Sequence, residues 1–548
     1  MSMRRHAVAA SVIALALPLI ATPAATANHP DDVQVRILSI GDLRSALDPL
    51  DGEAGTVLQS DGSRIDAGGA ANLGTYLDQL RRQAGRSLFL STGNNVAAPD
   101  EPSRTAVLRH EPVIDLLDTW GLDASAIGST ELAEGVPELL RKADGGCHLD
   151  DECDEETTFD GAAFPLVSSN IYGPTHTPLT APFTIRHVNG TPIGIIGATL
   201  HDEAGPEYTL ASERETITNA TEALEGLGVA AMVLLVNSPD LPEEPGGPSD
   251  CGAGNTAAHG LAAQAPPQID LVLTSGARPY TCLVRDPAGN DRPLLAAGSH
   301  GRTIAVADLV IDGTTGDVQR DRVSVFNQIV TRDIDPADDV AATLDALETT
   351  ISEAARTPVG TLTRQAPKPV SAVTESPLGR LIADAAVYSH NGRNNDAPAV
   401  AALIHPAFLR DDLHETVTHG DIFAAVDNTP LATIDITGDT LARLLEQQFQ
   451  DDRATLLQPS AALAYTIDES APIGSRISGI TINAEPVQPG LEYRIVVDPV
   501  LTSPGSGFTV LDDAEPETTI RGASALRTYI ADHAPATVDE QDRITRTG

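Results

Sequence analysis

Short apolar runs in the first part of the chain constrain the fold most strongly, because each ends at small or polar residues. In chain order, they are VQVRILSIGDL, SLFLSTGNN, FPLVSSNI, PIGIIGATL, VAAMVLLVNS and IDLVLTSGA. Amphipathic segments such as AANLGTYLDQLRRQAG lie between the runs, so the pattern predicts alternating strands and helices. Such alternation indicates an α/β domain whose sheet is largely buried. Functional side chains are then expected on the loops at the strand ends.

A change of pattern near Arg332 divides the chain. With 548 residues, the chain is too long for one hydrophobic core. We therefore predict a first domain over residues 32–332 and a linker helix over 333–357, where apolar residues recur at helical spacing. A second α/β domain is expected over 358–536, followed by a short tail, 537–548.

Residues 1–27 have the features of a cleavable secretory signal peptide. Arg4 and Arg5 precede an apolar stretch, and the small residues ATA provide a cleavage site before Asn28. A retained membrane anchor is less favoured, because the apolar stretch is shorter than the roughly 20 residues that a membrane span requires. No second run of that length follows, so we expect a secreted, extracytoplasmic protein.

The cysteines agree with export. Cys147 and Cys153 lie close together, and Cys251 and Cys282 follow further along the chain. In an exported protein an even number of cysteines favours disulfides, and pairing each cysteine with its nearer neighbour is the simplest of the three connectivities.

The charge balance excludes some partners. The formal net charge is −42 at pH 7, which makes this a strongly acidic protein. Binding to nucleic acid or to an anionic membrane requires clustered Lys and Arg, so neither is expected as a partner.

Four segments occur in an order that is typical of one family. ILSIGDLRSAL, LFLSTGNNVAAP and AIGSTELAEG follow one another in the first domain, and ESPLGRLIADAA stands near the start of the second. In these segments the chain resembles the secreted 5′-nucleotidase and UDP-sugar hydrolase family of metallophosphoesterases. The resemblance implies an N-terminal metallophosphoesterase-like β-sandwich flanked by helices, a linker helix, and an α/β 5′-nucleotidase C-terminal domain. It also implies hydrolysis of phosphate esters by two divalent metal ions.

Most of the family's metal-ligand positions are replaced in this sequence. Asp42 is the only retained ligand, and Asn94, a weak ligand, stands where the family has its bridging aspartate. Thr130 stands at the position of the catalytic histidine, so no catalytic residue is assigned. The other replaced positions hold Arg44, Ser129, Asn237, Ala277 and Pro279, and none of the histidines is expected on a ligand loop. Loss of a single residue that supports a metal ligand lowers affinity about 10–100-fold. We therefore expect no cofactor, and a divalent metal pair only if the family activity persists.

The residues that bind substrate in the family are also partly lost. Arg410 is retained, and Phe508 stands at one of two aromatic rings that sandwich a base in the family. Stacking of a base on Phe508 and simple packing of its ring both remain open. Arg44 and Arg278 could bind an anion without metal, although pairing with the abundant carboxylates is favoured.

These replacements favour a secreted pseudoenzyme that has lost its dimetal centre and can still bind a nucleotide-like or other small anionic ligand. The alternative is an active secreted 5′-nucleotidase that hydrolyses nucleotide phosphate esters in nucleotide catabolism. The sequence does not name a protein partner.

Overall fold

The computed structural model describes residues 32–98, 101, 103–148, 158–200, 207–239, 246–252, 256–393, 397–450, 454–503 and 505–548. The expected signal peptide, 1–27, lies outside these ranges, and so does Cys153. In the described ranges, no helix is both long and apolar enough to cross a membrane.

The first domain consists of short strands connected by helices and loops. Its strands are β1 (Val33–Ile40), β2 (Thr56–Leu58), β3 (Arg64–Asp66), β4 (Ser87–Ser91), β5 (Ala124–Ala126), β6 (Leu166–Val167), β7 (Ile171–Tyr172), β8 (Phe183–Val188), β9 (Thr191–Thr199), β10 (Thr209–Leu210), β11 (Ala231–Asn237), β12 (Leu271–Thr274), β13 (Pro279–Arg285), β14 (Asp291–Ala297), β15 (Thr303–Ile311) and β16 (Ser324–Ile329). Its α-helices are α1 (Ala70–Ala84), α2 (Glu111–Thr119), α3 (Ser129–Ala133), α4 (Val136–Asp144), α5 (Glu213–Gly226) and α6 (Ala257–Gln264).

Two six-stranded sheets pack face to face. One has the order β16-β15-β1-β4-β5-β6, and the other has the order β13-β14-β12-β11-β9-β8. Side chains such as Ile37, Leu90, Val233 and Leu273 fill the space between the sheets. The apolar faces of α1 and α2 cover the first sheet, and those of α5 and α6 cover the second. The expected β-sandwich flanked by helices is thus confirmed.

Parallel pairing brings the loops of the first domain together. In the first sheet, β1 pairs in parallel with β4, and β4 with β5. In the second, β11 pairs in parallel with β12, and β12 with β14. Because parallel strands end at the same edge of a sheet, the loops that follow them meet there.

The linker helix, α7, spans Asp338–Ala355, inside the range expected for it. It packs against α1, α2 and a short 3-10 helix, Arg104–Leu108, all in the first domain. Val340 and Ile351 are the buried residues of this helix. The helix is therefore part of the packed structure as well as a connection.

The second domain is again a mixture of strands and helices. Its strands are β17 (Pro358–Thr361), β18 (Ala401–Ile404), β19 (Thr416–Thr418), β20 (Pro430–Thr437), β21 (Gln458–Pro459), β22 (Leu463–Asp468), β23 (Ile477–Ile482), β24 (Glu485–Pro486), β25 (Glu492–Val497), β26 (Glu517–Arg521) and β27 (Ile544–Thr547). Its α-helices are α8 (Pro377–Arg393), α9 (His419–Ala425), α10 (Gly438–Glu446), α11 (Pro499–Thr502) and α12 (Gly522–Asp532).

Its central sheet has the order β21-β18-β25-β20-β26, and a smaller sheet has the order β24-β23-β22-β27. β27 pairs in parallel with β22, from Tyr465 opposite Ile544 to Asp468 opposite Thr547. Within the expected tail, 537–548, the residues of β27 thus complete a sheet of the second domain.

One disulfide joins Cys251 to Cys282. This confirms the pairing of the two later cysteines. Cys147 is also disulfide-bonded.

Candidate functional site

The loops at the carboxyl ends of the parallel strands surround a cavity of about 230 Å³. Asp42 follows β1, Asn94 follows β4, and Ser129 begins α3 after β5. The second sheet contributes Asn237 at the end of β11 and Gly276 after β12. The fold thus brings together Asp42 and Asn94, the two residues expected at metal positions.

A hydrogen bond joins these two side chains directly. The Asn94 Nδ2 donates to Asp42 Oδ1 at 2.6 Å, and the backbone N–H of Gly276 donates to Asp42 Oδ2 at 3.0 Å. Asp42 and Asn94 are both buried. Each has a left-handed backbone, with φ of 47° and 55°, a region that Asp and Asn adopt more readily than most residues. Both oxygens of the carboxylate are therefore occupied by N–H donors.

The other end of the Asn94 amide binds the first turn of α3. Its Oδ1 accepts a hydrogen bond from the backbone N–H of Thr130 at 3.0 Å. The hydroxyls of Ser129 and Thr130 each donate to the same oxygen at 3.3 Å. Thr130, which the sequence resemblance places at the position of the catalytic histidine, therefore holds Asn94 in this structure.

Glu131 holds three loops together beneath the cavity. Its Oε2 accepts hydrogen bonds from the backbone N–H groups of Gly128 and Asn94, both at 2.9 Å. Its Oε1 accepts one from Asn95 at 2.6 Å. A glutamate at the third position of a helix is a recognised capping signal, so the sequence itself carries a signal for this role of Glu131.

The charges around Asp42 are largely compensated. Burial raises the pKa of the Asp42 carboxyl, while the hydrogen bond from Asn94 and the charge of Arg44 lower it. The guanidinium of Arg44 forms an ion pair with Glu101, and Arg278 is exposed. The structure thus shows Arg44 paired with a carboxylate, as the sequence favoured.

His300 lines the same cavity, and it lies in the loop after β14, which is not one of the ligand loops named from the sequence. Its backbone N–H donates to the carbonyl oxygen of Asp42 at 2.8 Å, and its Nδ1 is hydrogen-bonded to Ser299 Oγ at 2.9 Å. Burial, together with the charges of Arg302 and Arg44, lowers the pKa of His300 to about 4. The imidazole is therefore neutral at neutral pH.

The residues around the cavity do not fit a pair of divalent metal ions. Such a centre needs several carboxylate, imidazole and amide ligands. Across the part of the chain that the structure describes, no three His, Cys, Asp or Glu side chains are grouped to hold a metal ion. Asp42 directs its oxygens at N–H donors, and the Asn94 oxygen is directed at Thr130.

The expected substrate-binding residues lie in the second domain, and neither lines the Asp42 cavity. Arg410 donates from Nη2 to Asp427 Oδ2 at 2.8 Å. Phe508 is only 2% exposed and belongs to a hydrophobic cluster. Its ring lies edge-on to that of His405, with 6.2 Å between the centroids. The ring of Phe508 is thus packed in this structure, and its role in substrate binding stays a prediction.

Residues 355–513 match the family model of the 5′-nucleotidase C-terminal domain. Most of the second domain is therefore similar to the 5′-nucleotidase C-terminal domain. Solved structures extend the likeness of fold to nearly the whole chain. A putative 5′-nucleotidase from Staphylococcus aureus superposes with a TM-score of 0.56 at 16% identity, covering 94% of this chain and 100% of that one. The NAD nucleotidase NadN of Haemophilus influenzae gives a TM-score of 0.55 at 15% identity, with the same coverage of both chains. The resemblance inferred from the sequence motifs is thus confirmed.

Two curated relatives are similar over most of this chain. The endonuclease YhcR of Bacillus subtilis is 26% identical over 486 residues, which are 85% of this chain and 37% of that protein. The cell wall protein Lmo0130 of Listeria monocytogenes is 25% identical over 558 residues, 94% of this chain and 68% of that protein. The chain therefore spans little more than a third of one relative and about two thirds of the other.

Proposed function

We propose that this protein is an extracytoplasmic pseudoenzyme of the 5′-nucleotidase family, which binds a small anionic or nucleotide-like ligand without dimetal hydrolysis. The observation that carries the proposal is the hydrogen bond from Asn94 to Asp42 at the position of the family's bridging aspartate. An amide that donates to the one retained ligand has taken the place of a carboxylate shared by two metal ions.

Metal binding would have to disrupt this arrangement. A metal ion bound to Asp42 would displace donors that now satisfy both of its oxygens, from Asn94 and Gly276. Each buried polar group left without a partner costs about 1–3 kcal/mol. A single carboxylate offers little in return, because divalent metal sites in proteins are built from several ligands.

Export and the kind of ligand are supported by separate observations. The N-terminal signal sequence and the similarity to a Listeria cell wall protein support an extracytoplasmic location. The S. aureus structure is a complex with α-ketoglutarate, a small dianion. Arg410 is the retained family residue proposed to contact such a ligand, and it would have to exchange its contact with Asp427 for one with the ligand.

Metal analysis and activity assays test the loss of hydrolysis. We expect the purified protein to contain less than stoichiometric metal and to release no phosphate from AMP in millimolar Mn²⁺. Asp42→Ala is the test variant, and Asp48→Ala, which removes an exposed carboxylate paired with Arg104, is the matched control. Phosphate release that Asp42→Ala abolishes and Asp48→Ala leaves intact would overturn the pseudoenzyme proposal. The protein would then be an active 5′-nucleotidase, which is the alternative function that the retention of Asp42 favours.

Calorimetry tests the ligand separately. AMP, adenosine and α-ketoglutarate would be titrated into the protein and into Arg410→Ala. Binding of an anionic probe that Arg410→Ala weakens at least tenfold is the expected result. If none of the three probes produces heat at millimolar concentration, this part of the proposal is wrong.

A further inference from the structure

A cluster of buried charged residues joins the two domains. Glu134, at the end of α3, and Glu138 and Lys142, in α4, belong to the first domain. Arg521, at the start of α12, belongs to the second. All four side chains are buried, and together they are called the interdomain latch.

Arg521 binds both domains with one guanidinium. Its Nη2 donates to the backbone carbonyl of Glu134 at 2.6 Å, and its Nη1 donates to the carbonyl of Asn428 in its own domain at 3.1 Å. The Nη1 also lies 3.9 Å from Glu134 Oε1. The planar guanidinium allows one side chain to make directed hydrogen bonds to two separate segments, which a lysine ammonium cannot match.

The first-domain residues of the latch are linked to one another by ion pairs and hydrogen bonds. Lys142 forms an ion pair with Glu134 and a second one with Glu138 Oε1 at 3.0 Å. Glu138 in turn accepts hydrogen bonds from Arg141 at 2.7 and 2.8 Å. A second contact crosses the interface nearby, from Arg109 Nη2 to Ser524 Oγ at 3.5 Å.

This network depends on one relative position of the domains. A rotation that kept the interface dry would leave the carbonyl of Glu134 without its buried donor, because Arg521 moves with the second domain, to which Asn428 also belongs. Buried ionic groups often add little net stability, and their best-attested effect is to select one register of packed elements. The latch is expected to act in this way at the interface.

The latch is also continuous with the Asp42 cavity. Glu134 caps the C-terminal end of α3, while Thr130, in the first turn of the same helix, donates to Asn94. The short helix is thus held by the cavity residues at one end and by the second domain at the other.

We infer that the interdomain latch fixes the two domains in a single arrangement and thereby holds α3 against the Asp42 cavity. The guanidinium of Arg521 is the decisive group, because it alone in the latch comes from the second domain.

Spin-label distance measurements test this inference on the mature chain. Labels would be attached at Leu227→Cys in the first domain and Leu491→Cys in the second, two positions that are 64% and 51% exposed. Among the described residues, no native cysteine is free to react. The expected result for the otherwise unmodified protein is one narrow distance distribution.

Arg521→Ala is expected to broaden this distribution. Hydrogen bonds from a charged group contribute amounts that correspond to about a tenfold to hundredfold change in population, so molecules outside the main peak should increase by that factor. Arg494→Ala is the control, since it removes a partly buried arginine that pairs with Asp435 inside the second domain. It should leave the distribution unchanged.

If Arg521→Ala does not fold, the same distance measurement on Arg521→Lys tests the inference. The lysine keeps the charge but cannot bind both carbonyls, and we expect a distribution broader than that of the unmodified protein. A folded Arg521→Lys or Arg521→Ala with the original narrow peak would overturn the inference. A broad distribution in the unmodified protein would overturn it as well.

Discussion

Asn94→Asp introduces the residue that the sequence resemblance gives for the bridging position, and it should destabilise the first domain. The new carboxylate would face the Asp42 carboxylate across the 2.6 Å that now separates the amide nitrogen from Asp42 Oδ1. Two ionised carboxylates at that distance repel each other by about 6 kcal/mol at an effective dielectric constant near 20. The pair will instead share one proton, because protonating one aspartate at pH 7 costs only about 4 kcal/mol.

The cost of that proton sets the size and the pH dependence of the effect. At pH 5 the same protonation costs only about 1.5 kcal/mol. The shared proton raises the folded-state pKa of the pair above the unfolded value. Stability is therefore retained at low pH and falls as the pH rises from about 4 towards that raised pKa. Asn94→Asp should lower the free energy of unfolding by about 4 kcal/mol at pH 7. At pH 5 this loss should be smaller by about 2.5 kcal/mol.

Urea unfolding followed by tryptophan fluorescence measures this loss. Trp120 is the only tryptophan of the chain, and it is buried at the end of α2 in the first domain. The control is the double variant Asp42→Asn/Asn94→Asp, which reverses the pair, keeps one carboxylate and one amide, and should restore most of the stability. An Asn94→Asp variant as stable as the unmodified protein at pH 7 would refute the reasoning. The reasoning would also be refuted if millimolar Mn²⁺ raised the stability of Asn94→Asp by several kcal/mol, because such an increase would show a working metal site.

Three further outcomes are expected. Replacing Cys251 and Cys282 by alanine opens a loop of 31 residues and should lower first-domain stability by about 3–4 kcal/mol in urea unfolding. Arg380→Ala should cost the second domain about 3–5 kcal/mol in calorimetry, because Arg380 pairs at 3.0 Å with Glu375 and both side chains are buried. Burial raises the pKa of Asp498 to about 7, so the second domain should lose stability as the pH rises from about 4 to about 7. Asp498→Asn should remove this decrease, so that the melting temperature of the second domain changes less between these two pH values.

The sequence was most informative about the architecture. Apolar runs ending at polar residues predicted β1, β4, β11 and β12, because buried parallel strands need apolar side chains on both faces. The order of the strands within each sheet could not be predicted, since it depends on contacts between distant segments. β27 was missed for a similar reason. Its four residues, ITRT, carry no hydrophobic signal of their own, and they form a strand only because β22 offers them an edge.

The candidate site was predictable in part. Asp42 and Asn94 meet because each follows a strand of the same parallel pair. His300 follows the run RPLLAA, which ends in small and polar residues like the other strands. That run is β14, parallel to β12, and reading it as a strand would have placed His300 at the same edge. The contact between Arg44 and Glu101 had no such signal, because it depends on how two loops fold.

The replacements around Asp42 form a consistent set when charge is considered. The family's ligands are held together by metal ions, and without those ions two adjacent carboxylates would repel each other. Asn94 removes one of the negative charges and supplies an N–H donor to the other. Thr130, which the sequence resemblance places at an imidazole position, supplies two donors to the amide oxygen of Asn94. Each change alone would leave a buried polar group unsatisfied, whereas together they satisfy one another. This mutual dependence is why restoring a single family residue is expected to destabilise the domain and not to recover metal binding.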